Sequence, residues 1–160
     1  MSVIKTAYKI VPQLSRHGNL HLTVTKQFKL DISHRIWNQV LPDGMECKCV
    51  QFHGHTCFVE VTIEGPYNPS SGMLIDFNII KAIVKDIERE FDHKLLIDVN
   101  DPLFEDMKDK PGVVALPFVP TAENLAILIG EYFNQRLPDK FKVQKVRWYE
   151  TPTAWADVHF

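Results

Sequence analysis

Hydrophobic and polar residues alternate along three stretches of this chain, at residues 20–35, 53–64 and 141–150. A period of two is typical of a β-strand with one buried face, so the sequence predicts three strands. On the apolar parity lie Phe28, Leu30, Ile32 and His34 in the first stretch, His53, His55, Cys57, Val59, Val61 and Ile63 in the second, and Val146, Trp148 and Glu150 in the third.

Two further stretches, 77–91 and 122–136, carry apolar residues at the spacing of one helix face. Asp76 and Thr121 precede them, and both residue types favour the N-cap position because their side-chain oxygens accept hydrogen bonds from free N–H groups of the first turn. The predicted buried faces are Phe77, Ile80, Ile83, Val84, Ile87 and Phe91 in the first helix, and Leu125, Leu128, Ile129, Tyr132 and Phe133 in the second.

The order of these elements predicts an α+β fold in which two helices cover one face of an antiparallel sheet. Residues 98–119 contain three prolines and are predicted to form a loop or a pair of short elements. Nothing in the sequence covers the edges of such a sheet, so we expect the edge strands to pair with other copies of the chain.

Length, charge and cysteine content narrow the class of protein. A chain of 160 residues predicts a single domain over residues 1–160. With 18 Lys and Arg against 20 Asp and Glu the net charge is −2, so no nucleic-acid partner is expected. The longest apolar run, Leu125–Ile129, is far shorter than the roughly 20 residues that cross a bilayer, so no membrane partner is expected. An odd, clustered set of three cysteines and no signal-peptide pattern predict a reduced, cytoplasmic protein.

Three histidines predict a metal site. His53 and His55 form an H-x-H pair on a strand, which places both imidazoles on one face about 7 Å apart at their Cα atoms. His34 follows the inward parity of the neighbouring strand and can complete a three-imidazole set. Zinc (Zn2+) accepts such a set and keeps a fourth position for water or substrate. The alternative is that each histidine is a hydrogen-bonded residue of the core or its rim.

The cysteines offer a rival metal set. Cys47, Cys49, His53 and His55 supply four potential ligands within nine residues, which would form a closed structural zinc site. The spacing departs from the usual C-x2-C pattern, so the three-histidine set is favoured. Cys57 follows the inward parity of its strand and is expected to be a small core residue.

Other residues carry groups suited to proton transfer or ligand binding. Beside a metal or an imidazolium, Cys49 would favour its thiolate, which is a base or nucleophile at neutral pH. Asp92 and His93 close the first predicted helix, where they form either a C-terminal cap or an acid–base pair. Glu150 ends a partly buried strand face and needs a partner, either a cation of the chain or a ligand with adjacent N–H donors.

Six motifs follow one another along residues 26–151. Their order resembles that of the 6-pyruvoyl-tetrahydropterin synthase and 6-carboxy-tetrahydropterin synthase family. This resemblance implies the tunnelling fold, an antiparallel four-stranded sheet with two helices on one face, and a homohexamer of two stacked trimers with active sites between subunits. The motifs are Phe28 to Arg35, Cys49 to His55, Gly72 to Phe77, Asp92-His93, Pro120 to Asn124, and Tyr149-Glu150-Thr151.

The resemblance also implies the chemistry of the site. The implied substrate is a pterin triphosphate, 7,8-dihydroneopterin triphosphate, and the implied cofactor is a catalytic zinc ion. The implied residues are His34, His53 and His55 for the metal, Cys49 with Asp92 and His93 of a neighbouring subunit for proton transfer, and Glu150 with Thr121 nearby for the amino-pyrimidine edge of the pterin.

The number of residues between Cys49 and the H-x-H pair indicates which branch of the family the chain resembles. Three residues separate Cys49 from His53, which resembles the 6-carboxy branch that serves queuosine-type deazaguanine synthesis. A 6-pyruvoyl enzyme and a non-catalytic, zinc-stabilised binding protein are the alternatives. Three features depart from the family pattern, namely the extra thiol of Cys47, an N-terminal extension over 1–25 and a long loop insertion over 98–119.

Overall fold

The structure is a computed structural model and describes residues 21–45 and 47–160. Most of the predicted N-terminal extension lies outside the described residues, and its last residues already belong to the first strand. The elements are β1 Thr23–His34, β2 His53–Glu64, α1 Phe77–Phe91, β3 Lys94–Asp98, α2 Phe104–Met107, β4 Val113–Leu116, α3 Ala122–Asn134, β5 Lys142–Thr151 and β6 Ala154–His159.

The strands of the described chain form one mixed sheet in the order β4-β3-β1-β2-β5-β6. Neighbours among β1, β2, β5 and β6 are antiparallel, whereas β3 runs parallel to β1 and β4 runs parallel to β3. The α+β class is therefore confirmed, but the expected four-stranded antiparallel sheet is wrong. Strands β3 and β4 have five and four residues, too short for an alternation to separate them from a loop.

The stretch 98–119 contains short elements, which is the second of the two predicted alternatives, and is not a continuous loop. Helix α2 occupies four residues, and β4 lies between Pro111 and Pro117. β4 pairs with β3, so that Val113 lies opposite Leu95 and Leu116 lies opposite Asp98. This segment therefore extends the sheet on the side of β3.

Helices α1 and α3 pack on one face of the sheet, as the sequence predicts. The Asp76 side chain accepts a hydrogen bond from the Asn78 N–H at 2.8 Å, and the Thr121 hydroxyl accepts one from the Asn124 N–H at 3.3 Å, so both predicted N-caps are confirmed. Phe77 differs from the predicted helix face, because its side chain is 45% exposed at the first helical position. The helices contribute to the common core Ile80, Ile83, Val84, Ile87, Phe91, Leu125, Ala126, Ile129, Tyr132 and Phe133.

The register between β1 and β2 positions the histidines. His34 lies directly opposite His53, and Ile32 lies opposite His55. Between the two histidines of β2, a Cβ atom on Gly54 would lie only 2.9 Å from the Ile32 carbonyl oxygen. Glycine at this position therefore allows the close approach of the two strands.

Among the helices of the described residues, none has the length and hydropathy needed to span a lipid bilayer.

Adjacent isoleucines of α1 test how the helix is buried. Ile80 is fully buried and Ile79 is 38% exposed. We expect Ile80→Ala to lower the free energy of unfolding by about 2–5 kcal/mol, because it leaves a cavity in the core. The matched variant Ile79→Ala should lower it by about 1 kcal/mol or less. Urea unfolding at one fixed protein concentration measures both, and equal losses would contradict the packing of α1.

Candidate metal centre and adjoining cavity

Three imidazoles converge where the end of β1 meets the start of β2. The ring centroid of His34 lies 4.6 Å from that of His53 and 5.2 Å from that of His55, and the last two are 5.0 Å apart. One nitrogen of each ring and one carboxylate oxygen of Glu150 all lie within 4.8 Å of one another. The strand alternation thus correctly indicates which histidines meet.

Main-chain carbonyl groups orient two of these rings. His34 donates its Nδ1–H to the Pro120 carbonyl oxygen at 2.6 Å, and His53 donates its Nδ1–H to the Gln51 carbonyl oxygen at 2.8 Å. Because a carbonyl oxygen only accepts, each bond places the hydrogen on Nδ1 and leaves the Nε2 lone pair free. Burial lowers the pKa of His34, which favours the neutral imidazole that metals bind.

The donor set fits a metal ion. The Nε2 atoms of His34 and His55 are buried and have no hydrogen-bond partner among the described residues. A buried polar atom without a partner is costly and is rare in folded proteins unless it serves a ligand or another function. A cation bound by the three Nε2 atoms would satisfy them, and three imidazoles with one further position are a set that zinc accepts.

Glu150 faces the histidines rather than a cation of the chain. Its Oε1 atom lies 3.4 Å from Nε2 of His34 and 3.6 Å from Nε2 of His55. No Lys or Arg within the described ranges forms an ion pair with it. The partner that the sequence requires for this carboxylate is therefore the histidine cluster.

The rival cysteine–histidine set is not assembled in the described structure. Cys47 donates its thiol to Oε1 of Gln39 at 2.8 Å, and neither Cys47 nor Cys49 belongs to the group of ligands around His53 and His55. The interpretation of these cysteines as structural zinc ligands is therefore not supported.

Cys57 is the core residue that the sequence predicts. Its side chain is fully buried, and this burial raises the pKa of the thiol to about 12.

Cys49 lies beside the metal centre in an open cavity of about 370 Å³ that Thr121, Glu123 and Glu150 also line. The sequence predicts a favoured thiolate only beside a metal or an imidazolium, and the chain by itself acts in the opposite direction. Burial raises the pKa of Cys49, and the neighbouring thiol of Cys47 and the charge of Glu150 add to this effect. The protein alone thus favours the neutral thiol, whereas a bound cation would act in the opposite direction.

Asp92 and His93 form a separate cluster. The Asp92 carboxylate accepts hydrogen bonds from the Asp31 N–H at 2.8 Å and from Nδ1–H of His93 at 2.7 Å. His93 has a φ of 56°, which is unusual for a residue with a side chain, and its ring is largely exposed. Asp92 is also the C-cap residue of α1, so the structure contains both the cap and the hydrogen-bonded pair that the sequence offers as alternatives.

This cluster does not lie with Cys49 within one protomer. Asp31 and Thr56, which surround it, alternate along the strands with Ile32 and His55, so they belong to the other face of the sheet. His93 lines a different cavity from the one that Cys49 lines. Of the predicted site residues, the structure brings together the three histidines, Cys49, Thr121 and Glu150, and it sets Asp92 and His93 apart.

Sequence reasoning missed the groups that hold the side chains in place. The carbonyl groups of Pro120 and Gln51 orient imidazoles, but every residue has a carbonyl group, so no residue type marks them. The Asp31 N–H donates to the Asp92 carboxylate, and the Asp31 carbonyl oxygen accepts from the His93 N–H. These contacts could not be predicted because Asp31 is far from Asp92 and His93 in the sequence.

Sequence comparison places the chain among known proteins. The model of the family described as 6-pyruvoyl tetrahydropterin synthase matches residues 23–159. A 6-carboxy-5,6,7,8-tetrahydropterin synthase of Aquifex aeolicus is 34% identical over 154 residues, covering 84% of this chain and 95% of the relative. The protein of that name from Haemophilus influenzae is 31% identical over 146 residues, covering 84% of this chain and 96% of the relative.

Comparison with solved structures finds proteins of the same fold as this chain. An uncharacterized protein of Wolinella succinogenes superposes with a TM-score of 0.79 at 26% identity, covering 88% of this chain and 99% of the other. The 6-pyruvoyl tetrahydropterin synthase of Caenorhabditis elegans superposes with a TM-score of 0.64 at 23% identity, covering 88% of this chain and 96% of the other. At that identity the second match shows the fold alone.

The three thiols should differ in reactivity. In metal-free protein we expect iodoacetamide to alkylate Cys49 with a midpoint above that of a free cysteine thiol, because burial raises the pKa of Cys49. Adding zinc should lower that midpoint, and Cys57 should react only after unfolding because its pKa is about 12. Peptide mass spectrometry across a pH series measures each site. A Cys49 midpoint at or below that of a free cysteine peptide, without metal, would contradict the description of its environment.

Proposed function

Since the chain belongs to the 6-pyruvoyl tetrahydropterin synthase family, we propose that it is a zinc-dependent lyase of the 6-carboxy-5,6,7,8-tetrahydropterin synthase type. It converts 7,8-dihydroneopterin triphosphate and one water molecule into 6-carboxy-tetrahydropterin, acetaldehyde and triphosphate. This reaction would serve queuosine and deazaguanine synthesis in the cytoplasm.

One observation carries this proposal. The rings of His34, His53 and His55 converge, and the buried Nε2 atoms of His34 and His55 have no hydrogen-bond partner among the described residues. His34, His53 and His55 would hold zinc there. Bound zinc supplies a Lewis acid that polarises side-chain hydroxyl groups of the substrate and lowers their pKa. The adjoining cavity, at about 370 Å³, is within the size range of small-molecule sites.

The cavity residues would orient the substrate. A carboxylate such as that of Glu150 accepts two parallel hydrogen bonds from an amino-pyrimidine edge, as it would from a guanidinium group. Thr121 lines the same cavity at the start of α3. Fixing the ring at this end holds the reactive side chain against Cys49 and the metal centre, and such orientation is worth several kcal/mol.

Cys49 and His93 would move the protons. The Asp92 carboxylate holds the hydrogen of His93 on Nδ1, so Nε2 is free to accept a proton from a substrate carbon. Cys49 would be the second proton-transferring group, on the metal side of the cavity. Because His93 lies on the other face of the sheet from the metal centre, we propose that it serves the site of a neighbouring subunit.

Assembly follows from this arrangement. The sheet ends in β4 and β6, whose outer edges pair with no other strand of the described chain. We propose that copies of the chain associate as a homohexamer of two stacked trimers, which brings the Asp92–His93 cluster of one subunit to the Cys49 cavity of the next. This is the closed symmetry that edge pairing produces in soluble oligomers.

The 6-pyruvoyl reaction is the second candidate, because the family model carries that name. It would eliminate triphosphate and retain the three-carbon side chain. The gap of three residues between Cys49 and His53, and the relatives named 6-carboxy synthases at 31–34% identity, favour the 6-carboxy product. The mass of the product separates the two candidates.

A product assay with matched thiol variants tests the function. Incubated with zinc and 7,8-dihydroneopterin triphosphate, the protein should release acetaldehyde and 6-carboxy-tetrahydropterin, identified by mass spectrometry. Cys49→Ala should lower turnover by about a hundredfold or more while it keeps the metal, because it removes a proton-transferring group. The control Cys47→Ala should remain active. Loss of zinc from Cys49→Ala would instead support a structural zinc site.

Mixing two inactive variants tests the composite site. Cys49→Ala and His93→Ala should each be inactive as purified oligomers. After dissociation and reassociation of an equal mixture, about a quarter of the sites should combine an intact Cys49 with an intact His93 of the neighbour, by random assortment of subunits. Activity of the mixture near that fraction of wild type is expected. A mixture that forms oligomers yet stays inactive would place all catalytic groups within one protomer.

A further inference from the structure

We infer that Glu150 is the fourth metal ligand of the substrate-free enzyme and leaves the metal when the pterin ring binds. This inference deepens the proposed function and rests on it. It assigns one carboxylate two partners in succession, first the ion held by the histidines and then the amino-pyrimidine edge of the substrate.

The positions of the atoms carry the first half of the inference. Ligands bound tetrahedrally at about 2.1 Å are separated from one another by about 3.4 Å. Oε1 of Glu150 lies 3.4 Å from Nε2 of His34 and 3.6 Å from Nε2 of His55, which is the separation of atoms that share one ion. Both contacts lack the geometry of a hydrogen bond, since each Nε2 is without such a partner.

The chemistry of the donors points the same way. His34 keeps its hydrogen on Nδ1, so its Nε2 presents a lone pair to Oε1 of Glu150 at 3.4 Å, and two such lone pairs repel each other unless a cation lies between them. A carboxylate added to three neutral imidazoles also reduces the charge of a divalent cation at a half-buried site. The donor set is therefore complete without a water molecule.

Substrate binding requires the same oxygen. Holding an amino-pyrimidine edge takes two parallel hydrogen bonds, one to each carboxylate oxygen. Oε1 of Glu150 is then no longer available to the metal. Glu150 would thus release a bound ion only when a pterin ring occupies the cavity, which would leave that ion accessible to the side chain of the substrate.

Cobalt spectroscopy tests the inference with readouts other than turnover. With Co2+ alone, Glu150→Gln should bind the ion about tenfold or more weakly than wild type and shift its visible d–d absorption. Glu123→Gln is the matched control, since it removes the same charge from the same cavity but lies outside the ligand group, so its Co2+ affinity should be unchanged. His34→Ala is the positive control for loss of a ligand. Circular dichroism and thermal unfolding check that each variant is folded.

The second half of the inference is tested with pterin itself, 2-amino-4-oxopteridine, which has the edge but no side-chain hydroxyl groups. Pterin should change the absorption of wild-type Co2+ protein and weaken its metal affinity, because the two ligands compete for one carboxylate and coupling is reciprocal. It should not do so in Glu150→Gln. If Glu150→Gln matches wild type in Co2+ affinity and spectrum, the inference is overturned, whereas the proposed function still stands if the expected product forms. If the product assay fails while Co2+ binding depends on Glu150, the proposed function is wrong and only the metal ligand remains.

Discussion

The antiparallel register that sets His34 opposite His53 is the constraint on which the site depends. Side chains of a strand alternate between faces, so a slip of one residue would turn His34 to the other face and separate it from His53 and His55. The apolar core fixes the register, because the same slip would expose Leu30 and the other core residues of β1. The packing energy of the sheet thereby also holds the three histidines in place.

The strands bring the ligands together, but the connecting segments decide how they are used. The Pro120 carbonyl group lies immediately before the N-cap of α3, and it determines which nitrogen of His34 is free. The Gln51 carbonyl group does the same for His53 from the turn that precedes β2. A donor set made in this way is rigid, since the orientation of each ring depends on main chain rather than on mobile side chains.

Much of the fold and part of the site could be predicted from the sequence. Helix α1 and strand β2 have the predicted limits, because each is long enough for its hydrophobic period to be read without ambiguity. Strands β3 and β4 could not be found, since five or four mostly apolar residues fit several structures equally well.

The same distinction applies to the site. The inward parity of His34, His53 and His55 follows from local alternation, which the sequence contains. The raised pKa of Cys49 could not be predicted, because it depends on burial within a cavity formed by distant segments. The separation of His93 from that cavity depends on the topology that sets it beyond the opposite face of the sheet.

The hydrogen bond from His34 to the Pro120 carbonyl group would couple the folding of the domain to the binding of a metal ion. The carbonyl group belongs to the segment that starts α3, and α3 contributes Leu125, Ile129 and Phe133 to the core. An ion that binds only the oriented imidazole also binds only the folded helix. At a free ion concentration [M] and a dissociation constant Kd, it adds RT ln(1 + [M]/Kd) to the free energy of unfolding of the domain. An ion bound by the histidines would thus raise the fraction of folded protein, because it stabilises the domain against unfolding.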